Sequence, residues 1–506
     1  MNNVVEILEK AFLNNPDNIA VSDEIRRISY RELRNNAIYI GREINNRSKK
    51  KSGLVMIVVD RSVLSVLAIW GVVYSGKCYI PIDKNIPLDR LKLIIDSCEP
   101  DLIISGDDNV EINNYLNALD ETVISIELLN HSKIENTLKN YIIPKTISED
   151  PLYMIYTSGS TGIPKGVMKF QRTILEFVRD FVTVFQFENE VFGNQASFDF
   201  DVAAKDIYVS AYTGSELCIL PRKCFLMPGF LCEYINNHRI TSLIWAASAV
   251  NYLYIGKCFE KNSPKTLKNI MFSGEALSPK VIKGLSELIP WCRFVNLYAP
   301  TEVTGNCMYY ICNKNNLVGD KLPLGIEFPG VKILFLNEDG KEIKDGEIGE
   351  IYIRGSYVSS GYYGCEELTK KAYIQNPKHD KYIDIVFKTG DIAEKRDNNY
   401  YFVSRCDNQF KHMGHRIESG DIEACVNSIE GINKCCVFLD NSMNRIVLFV
   451  ETNCVDKKTI EQEIEKKLPK YMKPHVIVLK ENLPVNNRGK IDRLLIQKEY
   501  NNERSN

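Results

Sequence analysis

YTSGSTGIPKG, Tyr156 to Gly166, is a run that neither a helix nor a strand core would choose. Glycines at 159, 162 and 166 let the backbone approach a ligand closely, and successive free N–H groups make a nest for an anion. Thr157, Ser158, Ser160 and Thr161 add hydroxyl donors, and Lys165 adds a mobile point charge. The stretch reads as a phosphate cradle. It is not a Walker A loop, which needs glycine directly before its lysine; Pro164 stands there, and Gly166 follows. A P-loop kinase or GTPase is therefore disfavoured.

Around this run lies a chain of 506 residues, long enough for two to four domains or subdomains, with the 44% hydrophobic and 25% charged residues of a globular protein. A net charge of −2 provides no global field for nucleic acid or an anionic membrane, so neither is expected as a partner. The basic run Lys49–Lys51 reads as a solvated loop. The N-terminus, MNNVVEILEKAFLNNPDN, carries acids and polar breaks and does not read as a secretory signal. The most apolar region, GLVMIVVDRSVLSVLAIWGVVYSG, is interrupted by Asp60 and Arg61; its halves read as a buried strand and a core helix, not a membrane span. Fifteen scattered cysteines without a C-x-x-C pair point to reduced thiols in a cytoplasm. His412 and His415 have no nearby partners to suggest zinc.

From about Ile19 to Ile155, helical stretches alternate with β-branched runs such as LVMIVVD, PDLIIS and TVISI, which argues for α/β layers over a largely parallel sheet. A second α/β stretch follows from Thr173 to Asn296. From Gly325 the texture becomes β-rich: GVKILFLNEDGKEI and GEIGEIYIRG read as hairpins with turns at Asp339-Gly340 and Asp345-Gly346. After Arg405, a glycine-punctuated segment leads into KCCVFLD, RIVLFVE and a helix through Glu461–Lys467. The expected fold is α/β: a large N-terminal domain, 1–404, of two α/β subdomains plus a β-rich subdomain, and a small mobile α+β C-terminal domain, 405–506.

LYMIYTSGSTGIPKG resembles the phosphate loop of the adenylate-forming superfamily, which contains acyl-CoA synthetases, luciferases and the adenylation domains that load carrier proteins. Further landmarks resemble that family's motifs in its order: CYIPIDKNIPLDR, NLYAPTE, FKTGD, SRCDNQFKHMGHRIESGDIE and PVNNRGKIDR. The ordered set spans nearly the whole chain and is highly specific.

The resemblance implies two half-reactions, with ATP as co-substrate and Mg²⁺ as cofactor. A carboxylate attacks the α-phosphate of ATP to give an acyl-adenylate and pyrophosphate; a thiol then takes the acyl group. Thr157, Ser158, Gly159, Ser160, Thr161 and Lys165 would hold the phosphates, Thr301 would bond the α-phosphate, and Glu302 would hold the metal. Adenine would lie against Tyr298, with Asn296, Leu297, Ala299 and Pro300 beside it in the motif and Gly274, Glu275 and Ala276 around its edge. Asp391 would accept the ribose hydroxyls, and Arg405 would approach ribose or phosphate. Lys490 would bridge the attacking carboxylate and the phosphate oxygens, Asp407 would be the hinge, and Gly414 would admit a pantetheine arm. Ala299 replaces the family's usual glycine. It either costs about 1 kcal/mol at positive φ or narrows the acyl pocket.

SFDFDVAAKDIYVSAYTG bears on the substrate. By resemblance Asp201 pairs with a substrate amine, and Val202, Lys205, Ile244, Met271, Ser273, Leu297, Gly305 and Asn306 line the acyl pocket. Lys205 either faces inward, toward a second carboxylate or a ring substituent, or snorkels to solvent. Gly305 and Ser273 are expected to leave room for more than a methyl group. The substrate is thus expected to be an amino acid or aminoaryl acid, and the acceptor a phosphopantetheinylated carrier protein in trans, because the chain ends at the lysine motif. A D-alanine–carrier protein ligase or an anthranilate-type ligase is the alternative within the family. An acyl-CoA synthetase is disfavoured by Asp201, and a luciferase-like oxygenase is not expected.

Overall fold

The computed structural model describes residues 1–48, 53–106, 110–118, 123–125, 141–159, 163–313, 317, 319, 321–485 and 491–505. The chain divides into two compact units. One comprises Met1–Lys84, Cys98–Ile155 and Gly166–Ser404; the other comprises Asn85–Ser97, Tyr156–Lys165 and Arg405–Asn506.

In the first unit, the apolar run LVMIVV forms the strand Leu54–Val59, buried at every position, as a central parallel strand must be. The helix Val63–Ser75 follows. Ser62 caps it by accepting the Ser65 N–H, and Gly76 closes it at φ 77°. The strand belongs to a six-stranded sheet ordered Val123–Ser125, Leu102–Ser105, Leu54–Val59, Cys78–Asp83, Pro151–Thr157, Lys165–Phe170, with its first five strands parallel.

A nine-stranded sheet runs Ile326–Glu327, Met308–Cys312, Arg293–Tyr298, Asn269–Ser273, Ser242–Ala246, Val191–Asn194, Glu216–Ile219, Ile19–Ser22, Arg27–Ser29. Its centre is parallel and both its ends are antiparallel. Strand periodicity divides two cores across it. Ile244, Met271, Val295 and Leu297 enter one core, while Leu243, Trp245, Ile270, Phe272 and Phe294 enter the other. Ser273-Gly274-Glu275-Ala276 and Tyr298–Glu302 lie at or beyond the C-terminal ends of two adjacent parallel strands, where open α/β sheets bind ligands.

The β-rich part of this unit is a five-stranded antiparallel sheet. Its long ladder pairs Val331–Leu336 with Ile348–Gly355, so the two runs expected to fold as separate hairpins form one. GKEI returns only as a bridge, Leu336 to Glu342. Gly340 and Gly346 supply the positive φ that the connection needs.

In the second unit, the strands Ile432–Asp440, Arg445–Thr452 and Val476–Lys480 form one sheet, accompanied by the helices Ser419–Asn427, Lys457–Lys467 and Arg493–Ser505. Cys435 and Cys436 face opposite sides of this sheet and join different cores. None of the fifteen cysteines is in a disulfide. No helix among the described residues is long and apolar enough to cross a membrane.

Candidate active site

In the first unit the NLYAPTE motif leaves its strand at Tyr298 and is pinned by backbone bonds. The Ser359 N–H donates to the Glu302 carbonyl at 2.9 Å, and the Thr304 N–H donates to that of Tyr357 at 2.9 Å. Ala299 is not among the residues at positive φ, so it carries no left-handed strain and packs partly buried against the core. Glu302 is fully buried, and its carboxylate accepts the Tyr362 hydroxyl at 2.6 Å. A single buried carboxylate fits Mg²⁺, which binds through one or two carboxylates and completes its shell with phosphate oxygen and water. Among the described residues no group of three or more His, Cys, Asp or Glu forms a protein-only metal cage.

Tyr298 and Asp391 meet directly. The tyrosine hydroxyl donates to Asp391 Oδ2 at 2.5 Å, and Thr389 Oγ1 accepts the Asp391 N–H at 2.9 Å. Asp391 is 2% exposed, so this bond aims its carboxylate. The Asn296 side chain donates to the Pro323 carbonyl at 2.8 Å. Gly274 lies at φ 104° in the turn that carries Glu275 and Ala276, a conformation open to glycine.

Asp201 opens the helix Asp201–Thr213, with Val202 beside it. Both its oxygens are engaged: Tyr153 donates to Oδ1 at 2.8 Å, and Lys169 Nζ stands 3.6 Å from Oδ2. Lys169 is fully buried and also donates to the Thr301 carbonyl. Burial lowers its pKa, while Asp201 and Glu302 work to hold its charge. Lys169 thus links the acid assigned to the substrate amine with the segment assigned to phosphate and metal.

Lys205 faces inward. It is 2% exposed and donates to Asn306 Oδ1 at 2.9 Å and Ser273 Oγ at 3.4 Å. Ile244 and Met271 are paired in register on neighbouring strands and share the core face with Leu297. The room expected at Gly305 is taken. A Cβ there would lie 2.4 Å from the Phe177 ring, and the residue sits at φ +67°. The space at Ser273 holds the Lys205 ammonium. The surroundings of Gly305 and Ser273 are therefore tighter and more polar than the small residues suggested.

In the second unit, the loop's flanks are bonded to the segment after the hinge motif. Ser158 Oγ donates to the Arg416 carbonyl at 3.0 Å and accepts the Glu418 N–H at 3.0 Å, and Lys165 Nζ lies 3.2 Å from Glu418 Oε1. Gly159 is required where it stands, since a Cβ would meet the Ile163 carbonyl oxygen at 2.0 Å. The Thr157 hydroxyl is enclosed without a hydrogen-bond partner among the described residues, as a group meant for a ligand oxygen would be. Arg405 clamps Asp407 with two 2.7 Å bonds, through Nε and Nη2. Burial pulls Asp407 upward, but the guanidinium prevails and holds the carboxyl below its usual range. Gly414 at φ 83° and Met413 at φ 52° make the tight turn between Gln409–His412 and His415–Glu418. Ser160, Thr161 and Lys490 lie outside the described residues.

Sequence reasoning missed Lys169, Tyr153, Tyr362, Phe177 and Glu418. Only Lys169 left a local sign: a charge at an inward position of the strand Lys165–Phe170. The others acquire their parts through partners distant in the chain.

Residues 8–363 match the family model described as AMP-binding enzyme, over half the chain, and the chain belongs to that family. A component of plipastatin synthase from Bacillus subtilis (strain 168) is 28% identical over 493 residues, which cover 96% of this chain and 13% of that protein. A D-alanine–D-alanyl carrier protein ligase of Bacillus licheniformis is 28% identical over 518 residues, 98% of this chain and 99% of its own. This chain thus spans nearly all of the ligase but about an eighth of the plipastatin synthase component. Among solved structures, the Vibrio cholerae adenylation domain AlmE, in complex with glycyl-adenosine-5'-phosphate, has a TM-score of 0.82 at 20% identity and 98% coverage of both chains. The α/β class read from the sequence is the fold of that structure.

Proposed function

We propose that this protein is an ATP-dependent ligase. It activates an amine-bearing acid, an amino acid or aminoaryl acid, as the acyl-adenylate and passes the acyl group to the phosphopantetheine thiol of a separate carrier protein, in nonribosomal-peptide-type biosynthesis. The observation that carries this reading is Asp201, a largely enclosed carboxylate linked through Lys169 to the Thr301 carbonyl. Amine recognition and adenylate chemistry are thereby joined by one side chain.

In the first half-reaction a substrate carboxylate oxygen bonds to the α-phosphorus as the bond to pyrophosphate breaks. The protein's part is to position groups and oppose developing charge. The loop hydroxyls and Lys165 grip the leaving phosphates, Thr301 bonds the α-phosphate, and Asp391, oriented by Tyr298, holds the ribose. Glu302 would hold Mg²⁺, which would supply neutralisation of phosphate charge. Lys490 reaches the reacting oxygens, a contact worth roughly 3–4 kcal/mol in the transition state. In the second half-reaction the carrier's thiol attacks the acyl carbon and AMP leaves. The domain of residues 405–506 is proposed to rotate about Asp407 between the two steps. Fifteen cysteines with no disulfide among them support a reducing cytoplasm as the place of work.

A D-alanine–carrier protein ligase is the second reading. The end-to-end match to such a ligase supports it, and so does the Phe177 ring, which leaves little depth beside Gly305.

Amino-acid-dependent exchange of labelled pyrophosphate into ATP tests the proposal, using proteinogenic amino acids, both alanine enantiomers, aminobenzoates and fatty acids. An amine-bearing acid is expected to give the highest exchange, and Lys490→Ala to lower it by roughly 10²–10³-fold. Preference for fatty acids would overturn the role of Asp201.

A further inference from the structure

Asp201 does not depend on a substrate to satisfy it. Tyr153 and Lys169 come from neighbouring strands of the six-stranded sheet, and each brings a donor to one of its oxygens. The Tyr153 ring is buried and stacked on Tyr79 with centroids 5.3 Å apart. Burial holds its hydroxyl well above the ordinary range, so it keeps its proton and donates to Asp201 Oδ1 at 2.8 Å. Lys169 is anchored at the Thr301 carbonyl and stands 3.6 Å from Oδ2. Burial draws the proton off Lys169 while Asp201 and Glu302 hold it on, yet either form of the nitrogen has N–H groups to donate. Both partners are thus set by the fold before any ligand arrives. A site built to bond a substrate N–H rejects an analogue without it by about 10⁴–10⁵-fold, because its own polar group is left buried and unpaired. Here that group is already answered from within the protein, and the penalty for leaving the amine out is largely removed.

We infer that Lys169 and Tyr153 make the adenylating site tolerant of acids that lack the amine: a deamino acid is activated alongside its amine-bearing counterpart, and Lys169 keeps the margin between them modest. The inference rests on the adenylation reading above and widens its substrate class. The amine still gains by joining Asp201, so the amine-bearing acid stays ahead. Without an amine, Asp201 keeps both its partners and no buried carboxylate is stranded. Lys169 acts through Asp201 and is a positioning residue in this discrimination. Its removal strips Oδ2 of that partner and returns the site to strict selection of amines.

The test is pyrophosphate exchange on the full chain with acids taken in pairs: glycine against acetate, either alanine enantiomer against propionate, leucine against 4-methylpentanoate, phenylalanine against 3-phenylpropanoate, and anthranilate against benzoate. The pair whose amine-bearing member gives the highest exchange decides. Its ratio of kcat/KM, amine-bearing over deamino, is expected to lie between one and about a hundred, well short of strict rejection. A larger ratio overturns the inference and leaves the adenylation reading standing. In Lys169→Met, confirmed folded by its melting curve, the ratio is expected to rise by about tenfold or more, whereas a merely structural loss lowers both members alike. Lys169→Arg should stay nearer the wild-type ratio. An unchanged ratio in Lys169→Met also overturns the inference, and the wild-type ratio alone decides should that variant fail to fold. A deamino acid preferred to its partner removes the amine role of Asp201 and the inference with it. Silence with every acid removes the adenylation reading as well.

Discussion

Lys169 and Gly305 show how one residue can set the character of a site through partners far away in the chain. With Lys169 replaced by methionine, Asp201 and Glu302 lose the cation they share. Breaking a buried pair from one side typically costs about 3–5 kcal/mol. A smaller loss is expected for Lys169→Met combined with Asp201→Asn than for the sum of the two single changes, because the pair is then removed whole. Denaturant unfolding of the four proteins measures this coupling; simple additivity would show that the 3.6 Å contact does not matter. Gly305→Ala forces a methyl into the Phe177 ring at positive φ, and a loss of about 2–4 kcal/mol is expected from crowding and backbone strain together. Trimming the ring with Phe177→Leu in the same chain should return part of it. A wild-type melting temperature for Gly305→Ala would show that the ring yields freely. Neither contact was legible in the sequence. A lysine in KGVMKF and a glycine in a loop gain their meaning only from burial and long-range approach, whereas the motif residues announced themselves by order and spacing.

At the scale of elements the sequence was far more readable, because strand periodicity and turn chemistry are local. LVMIVV became a fully buried parallel strand, and the cysteine pair of KCCVFLD fell on opposite faces of its sheet. Pairing partners were harder: the run GVKILFLNEDGKEI holds a good turn, yet its long ladder forms with the next strand. The turn at His412–His415 tests local chemistry directly. A two-residue hairpin loop with both central φ values positive favours asparagine then glycine, and Met413 holds the first place at φ 52°. Met413→Asn is therefore expected to stabilise the second unit by roughly 0.5–1 kcal/mol, read as an upward shift of its unfolding midpoint. A downward shift would mean that the exposed methionine side chain makes a contact worth more than the backbone relief. The same hairpin carries Glu418, whose carboxylate lies 3.2 Å from the ammonium of Lys165, the lysine proposed to grip phosphate. Glu418→Gln should lower the KM for ATP in exchange by about three- to tenfold, while an unchanged KM would show that the pair opens without cost.

For the whole molecule, alternation of strand and helix disclosed the layers, and a change of texture near Ser404–Arg405 was visible in the sequence. The inclusion of Asn85–Ser97 and Tyr156–Lys165 in the second unit was not, since chain order says nothing about which distant segment a loop will join. Global stability also carries terms that no motif reveals, and Asp199 is the clearest. Burial, helped by repulsion from Asp83 and opposed by Ser197, pushes its carboxyl up to about 7 from an ordinary 3.8. Its Oδ1 is enclosed without a hydrogen-bond partner among the described residues. Between those two values the folded protein binds the proton more tightly than the unfolded chain does. This contribution is fully present below 3.8 and is lost as pH rises toward about 7, at up to about 1.4 kcal/mol per pH unit. Asp199→Asn keeps the shape and removes the ionisation. The variant should differ little from the wild type at pH 4 and gain steadily on it up to pH 7, after which the gap should level off. Denaturant unfolding of both proteins across that range decides the matter, and a gap that stays constant with pH would place the Asp199 carboxylate in water.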